Sequence, residues 1–164
     1  MAGLNGIVDS VRSAANVRIY KYTALIKSAS TTTQNKIFGA LPTAKNSGAF
    51  LGVTIEHFFE PNFFVPQGTD PTTVTGTTPV IYNLQGKVIG IQITGEARFI
   101  LSADGAVSQG DSLAVADAFG RVNNLTNLAL SGTGIFVVGI AMNSASVTND
   151  ILIVKLDTGA SRTP

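Results

Sequence analysis

His57 is the only histidine in the chain, and it stands between Glu56 and Glu60 in the run EHFFE. A histidine beside a carboxylate is the minimum for general acid–base work, and with a serine it would be most of a hydrolytic triad. One histidine and no cysteine exclude multi-histidine and thiolate metal sites within one chain. The ten acidic residues are dispersed, and none falls into the D-x-[DN]-x-[DN]-G pattern of a calcium loop. Gly132-Thr133-Gly134 starts like a phosphate-binding turn, but Val137 stands where the third glycine belongs. Asn124-Leu125-Thr126 is a glycosylation sequon by letter, which matters only behind a secretory signal. These residues predict no catalytic, metal or cofactor site. His57, Glu56 and Glu60 are expected instead at the polar rim of an aromatic surface.

That surface would come from Phe58, Phe59, Phe63 and Phe64, two pairs around Glu60-Pro61-Asn62. They lie in residues 56–79, a stretch with prolines at 61, 66, 71 and 79 that cannot be a central strand. A long loop rich in aromatic rings inside a compact domain is usually functional. The elements that must hold it are strands. From Val88 onward Ile89, Ile91, Ile93, Ala97, Phe99 and Leu101 share one parity, and Gln92, Thr94, Glu96 and Arg98 share the other. Such alternation predicts one half-buried strand. Asp104-Gly105 reads as a turn, 112–116 as the next strand, and Ala118-Phe119-Gly120 as the turn into Val122.

Earlier, RIYKYTALI opens the β body with Ile19, Ala24 and Leu25 inward; 28–35 reads as a loop, 37–41 as a short strand and 49–55 as a strand. Val80-Ile81-Tyr82 resumes strand after the loop, the nearly all-apolar 135–142 predicts burial on both faces, and 151–156 closes the body. Leu4, Ile7, Val8, Val11 and Ala15 follow helical spacing, which predicts a short amphipathic N-terminal arm. The expected fold is all-β: a small antiparallel sandwich or barrel forming a single domain over 1–164. It divides into an arm at 1–17, a β body at 18–157 with the inserted loop 56–79, and a polar tail at 158–164. No internal repeat of useful length is visible in the letters.

Charged residues make up 13% of the chain, about half the roughly 25% usual for soluble domains, so part of the surface is expected to be covered by partners. Net charge is +1 with no basic cluster, which gives nucleic acid no footprint. Residues 1–17 lack the features of a signal peptide, and no apolar run approaches a membrane span. A cytosol-like compartment, or a particle assembled there, is the expected location.

Three segments in order carry a resemblance: GEARFILSADGAVSQGDSLAVADAFGRV, then IFVVGIAMNSA, then the closing ILIVKLD. They resemble the small capsid decoration, or cement, proteins of tailed bacteriophages. In that family a G-x-A-x-x-x-L strand leads into a V-x-x-G-D-x-L bend, a hairpin ending G-[RK]-V, and a V-V-G-x-A strand. Residues 1–17 and 56–86 depart from the pattern. The resemblance implies a virion structural protein on the outside of an icosahedral capsid, bound to major capsid protein, usually oligomeric, and without catalysis. With the low charge it leads us to expect a homotrimer. The interface residues expected are Phe58, Phe59, Phe63, Phe64 and His57 in the loop, and Leu4, Ile7, Val8 and Val11 in the arm. Other virion β domains (tail, baseplate or spike) and a small ligand-binding barrel are the alternatives.

Overall fold

Apolar alternation and frequent turn glycines push most of the chain into short strands. The computed structural model describes residues 6–28, 37–74, 76–77 and 82–157. In chain order its strands are β1 (Val8–Ser13), β2 (Val17–Arg18), β3 (Ala24–Lys27), β4 (Phe38–Ala40), β5 (Phe50–Thr54), β6 (Gly76–Thr77) and β7 (Val88–Gln92). They continue with β8 (Glu96–Ile100), β9 (Ser112–Val115), β10 (Val122–Asn124), β11 (Val137–Ala141) and β12 (Ile151–Leu156). Five of them close a barrel in the order β1-β4-β3-β5-β7, and five more form a sheet in the order β10-β9-β11-β12-β8. A parallel bridge from Leu101 to Val122 joins the two edges of that second sheet, with Ser102 N–H donating to Val122 O at 3.0 Å. The second sheet therefore curls round as a barrel too.

The two barrels are one construction used twice. Replacing β1, β3, β4, β5 and β7 by β8, β9, β10, β11 and β12 preserves every neighbour, including the parallel β1–β4 contact. The register shift between β3 and β5, which skips Leu51, recurs between β9 and β11, skipping Val138. Ile19 and Phe58 exchange both backbone hydrogen bonds, as do Val107 and Ala145. Lys87 O and the Gly86 N–H both bond to Ser13; Asp150 O and the Asn149 N–H bond in the same way to Leu101. Gly86 and Asn149 both take left-handed backbone, at φ 76° and 71°. Gly52 and Gly139 are also twins. A Cβ on Gly52 would stand 2.9 Å from Gln92 O, and one on Gly139 would stand 2.2 Å from Lys155 O.

Each barrel has its own interior. Val11, Ile19, Leu25, Ile89 and Ile91 fill the first; Ala97, Phe99, Leu101, Leu113, Val138, Leu152 and Val154 are among those filling the second. Val11 and Phe99, Leu25 and Leu113, and Ile91 and Val154 are equivalent pairs in the registers. The barrels meet where the outer face of β3 and β5 packs on the second: Ala24 and Val53 are buried in its core cluster, and Phe50 packs against it. Ala24 N–H donates to Gly120 O at 2.8 Å, and a Cβ on Gly120 would come within 2.5 Å of Ala24 O.

Four expectations need correction. The N-terminal helical arm is strand β1, paired with β7 on one edge and β4 on the other. Val8 and Val11 suit either element locally, but a three-turn helix is marginal alone, whereas this strand gains partners on both edges. The sheets are not wholly antiparallel, since β1 runs parallel to β4. The alternating stretch 88–101 is two strands in two barrels, broken at Gly95, whose φ of 80° suits glycine. The segment 135–142, which contains β11, is not buried on both faces, because Ile140 and Met142 are 43% and 37% exposed. The expectations at Leu4, at most of the loop 28–35, at Val80-Ile81 and in the tail lie outside the described residues.

Candidate functional site

Duplication shows where the first barrel differs from its copy. In the second barrel the chain runs from the bridge residue Ala145 to left-handed Asn149 by a tight loop; in the first it runs from Phe58 to Gly86. The extra residues are the aromatic loop. The Ile19–Phe58 bridge sets what flanks it: Ile19 and Phe58 turn toward the barrel interior, and Arg18, Tyr20, His57 and Phe59 fall on the opposite side.

On that side the rings form a continuous shelf. Tyr20 meets His57 edge-on at 4.4 Å between centroids, His57 stacks on Phe59 at 4.9 Å, and Phe59 meets Phe63 edge-on at 5.1 Å. Offset and edge-on contacts at these separations are the favourable geometries for aromatic pairs. The Arg18 guanidinium lies 3.9 Å from the centre of the Phe63 ring, a cation–π contact. Glu60 locks that guanidinium in place: Arg18 Nε donates to both carboxylate oxygens at 3.0 Å, and Nη2 bonds to Oε1. A turn from Glu60 to Phe63 across Pro61-Asn62, closed by Phe63 N–H to Glu60 O at 3.0 Å, returns Phe63 over the arginine.

The electrostatics follow from these contacts. The hydrogen bonds from Arg18 hold the Glu60 carboxyl below the usual carboxylate range, against the opposing effect of burial. Desolvation, with the Lys21 charge second, holds His57 below its ordinary value. Its Nδ1 accepts the Lys21 backbone N–H at 3.2 Å, which leaves the proton of the neutral ring on Nε2. The imidazole is thus packed between two rings and oriented by a backbone amide. Among the described residues no three histidine, aspartate or glutamate side chains gather around a common metal position.

The four phenylalanines are thus not presented together. Phe58 packs into the first barrel's core cluster, Phe59 and Phe63 belong to the shelf, and Phe64 stands 84% exposed beyond it. Glu60 is no rim residue but the lock beneath the shelf, while Glu56 and His57 are exposed. Of the arm residues, Val11 is inside the barrel and has no free face, whereas Ile7 and Val8 are 60% and 56% exposed. Arg18 and Tyr20 were not expected in the site. Alternation about Ile19 marks both as outward, but the facing partners come from a segment far along the chain. A second apolar surface also went unforeseen: the outer side of β11 and β12, carrying Ile140, Met142 and Ile153, with Lys155 beside them.

No family model matches this chain, and no curated protein matches its sequence. Among solved structures it is similar to the N-terminal base of the head fiber protein gp8.5 of bacteriophage phi29. The TM-score is 0.48 at 13% identity, covering 93% of this chain and 94% of that one.

Proposed function

We propose that this chain is a structural protein of a bacteriophage virion, bound to the outside of the capsid, where it cements neighbouring major capsid subunits as a homotrimer. It has no catalytic role in this reading. A TM-score of 0.48 is too low for the head-fiber likeness to carry function across, so the reading rests on the chain itself. The observation that carries it is Phe64, 84% exposed next in sequence to Phe63 of a locked aromatic shelf that the first barrel has and its copy lacks. Burying such a ring against a partner is worth roughly 1.5–3 kcal/mol, which is about ten- to a hundredfold in affinity. The low charge and the ordered motifs of β8 to β12 give further support.

The test is cosedimentation with DNA-free capsids of the phage whose genome encodes the chain. Wild type should pellet with the shells, and Phe64→Ser should bind at least about tenfold more weakly. A wild-type protein that stays in the supernatant at micromolar concentration, or a Phe64→Ser variant that pellets as well as wild type, would contradict the reading.

A further inference from the structure

The contact between the two barrels is made by the outer face of the first and the receiving end of the second. Because the barrels are copies, the outer-face residues Ala24, Val53 and Phe50 recur on the second barrel as Ser112, Ile140 and Val137, and the receiving end recurs on the first. Val137 packs under the chain's own 125–135 segment, so the part of that outer face left free is the one around Ile140. In the registers, Ile140 is the equivalent of Val53, Met142 of Ile55 and Lys155 of Gln92. Val53 is 1% exposed because the second barrel covers it, whereas Ile140 is 43% exposed. At the receiving end, Val8 is the equivalent of Glu96 and Ile37 of Gly120. Gly120 is buried against β3, whereas Ile37, Val8 and the preceding Ile7 are 50%, 56% and 60% exposed.

We infer that copies of this chain associate head to tail, the outer face around Ile140 on β11, with β12 beside it, docking on the β1 end of the next. This repeats the part of the contact between barrels that Val53 and Gln92 make within a chain. Five of the nine large hydrophobic side chains exposed among the described residues fall on these two surfaces: Ile7, Val8, Ile37, Ile140 and Met142. Chain connectivity agrees. Ile93 N–H donates to Ile7 O where β7 leaves the first barrel, and Leu156 N–H donates to Gly95 O where β12 leaves the second. The repeated geometry therefore sets the end of β12 beside the start of the next copy's β1, where the covalent link runs within one chain. Charge fits as well. Gln92 Nε2 donates to Glu96 O at 2.8 Å across the internal junction, so Lys155 takes that place beside the next copy's Val8 and Asp9.

The contact joins unlike surfaces, so it closes into a ring or runs on as a filament. A trimer would be a ring of six barrels. The inference stands apart from capsid binding, because it is tested on the purified chain in solution.

The experiment is light scattering on wild type, Ile140→Asp, Val8→Lys and an equimolar mixture of the two variants, each first shown to unfold cooperatively. Should either fail to fold, Ile140→Ser or Val8→Ser replaces it. Wild type should be oligomeric at micromolar concentration and each variant monomeric. The mixture should form dimers and nothing larger, since it holds one intact pair of surfaces. A monomeric wild type, a variant that keeps the wild-type mass, or a mixture that stays monomeric would overturn the inference.

Discussion

Gly139→Ala tests the duplicated architecture at its tightest point. The added Cβ would stand 2.2 Å from the backbone oxygen of Lys155 and 2.8 Å from Val154 Cγ1. A carbonyl in a paired strand cannot turn aside as a side-chain tip can, so β12 must shift by about an ångström to restore ordinary contact. Forcing extra carbon into a packed core typically costs 1–3 kcal/mol, and this site belongs at or above the top of that range. At its twin, Gly52→Ala meets the flexible tip of Ile91 at 2.8 Å and Gln92 O at 2.9 Å, so about 1–2 kcal/mol is expected. Gly90 is the control. A Cβ there meets nothing nearer than Ile55 Cδ1 at 3.4 Å, and its equivalent in the second barrel is Ile153, a residue with a large side chain. Gly90→Ala should be neutral or stabilising by up to about 1 kcal/mol through the unfolded chain. With about 2–4 °C per kcal/mol at this chain length, thermal unfolding separates the three. Gly139→Ala should melt roughly 6–12 °C low, Gly52→Ala a few degrees low, and Gly90→Ala at or above wild type. A Gly139→Ala protein melting with wild type, or a Gly90→Ala protein melting as low as Gly139→Ala, would refute the reasoning.

The aromatic shelf and its charges give two more expectations. Phe64→Ser should leave the melting temperature unchanged because the ring is 84% exposed, while Phe63→Ser loses its contacts with Phe59 and Arg18 and should cost roughly 1–2 kcal/mol in the same assay. Equal effects of the two would mean that the shelf is not packed as described. Stability should fall in two stages on acidification, followed by the urea midpoint as a function of pH. The unfolded chain protonates His57 from about pH 6.5 downward, whereas the folded chain resists, so stability drops below that pH and levels off past the depressed folded value. Glu60 stabilises the fold above its unfolded value of about 4.3, and that contribution is lost as the pH falls through the lower folded value. His57→Gln should remove the first stage and Glu60→Gln should diminish the second. A profile unchanged by both substitutions would count against the site's electrostatics.

Much of the secondary structure is legible in the letters, because side-chain alternation is a property of the backbone itself. Ile89, Ile91, Phe99 and Leu101 point inward as their parity requires, the strands at β4, β5, β9 and β12 lie where they were expected, and Gly120 turns the chain as glycine at φ 70° can. The stretch expected to run from Arg18 to Ile26 is instead broken by a turn at Tyr22, φ 65°, before β3. That residues 56–74 form no central strand is legible as well, since prolines and paired phenylalanines do not suit one. The arrangement of the strands is not legible. Ile7, Val8 and Val11 follow helical spacing in the letters, and only pairing with β7 and β4 makes the segment a strand. Nothing local at Gly95 says that β7 and β8 belong to different barrels. The repeat is invisible for a related reason: strand order and register constrain which backbones meet, while many side-chain sets fill the same interior, as Val11 and Phe99 do at equivalent positions. The shelf, too, exists only through one long-range bridge. Arg18 and Tyr20 face Phe59 and His57 because Ile19 pairs with Phe58, a contact between segments distant in the chain that residue types alone do not specify.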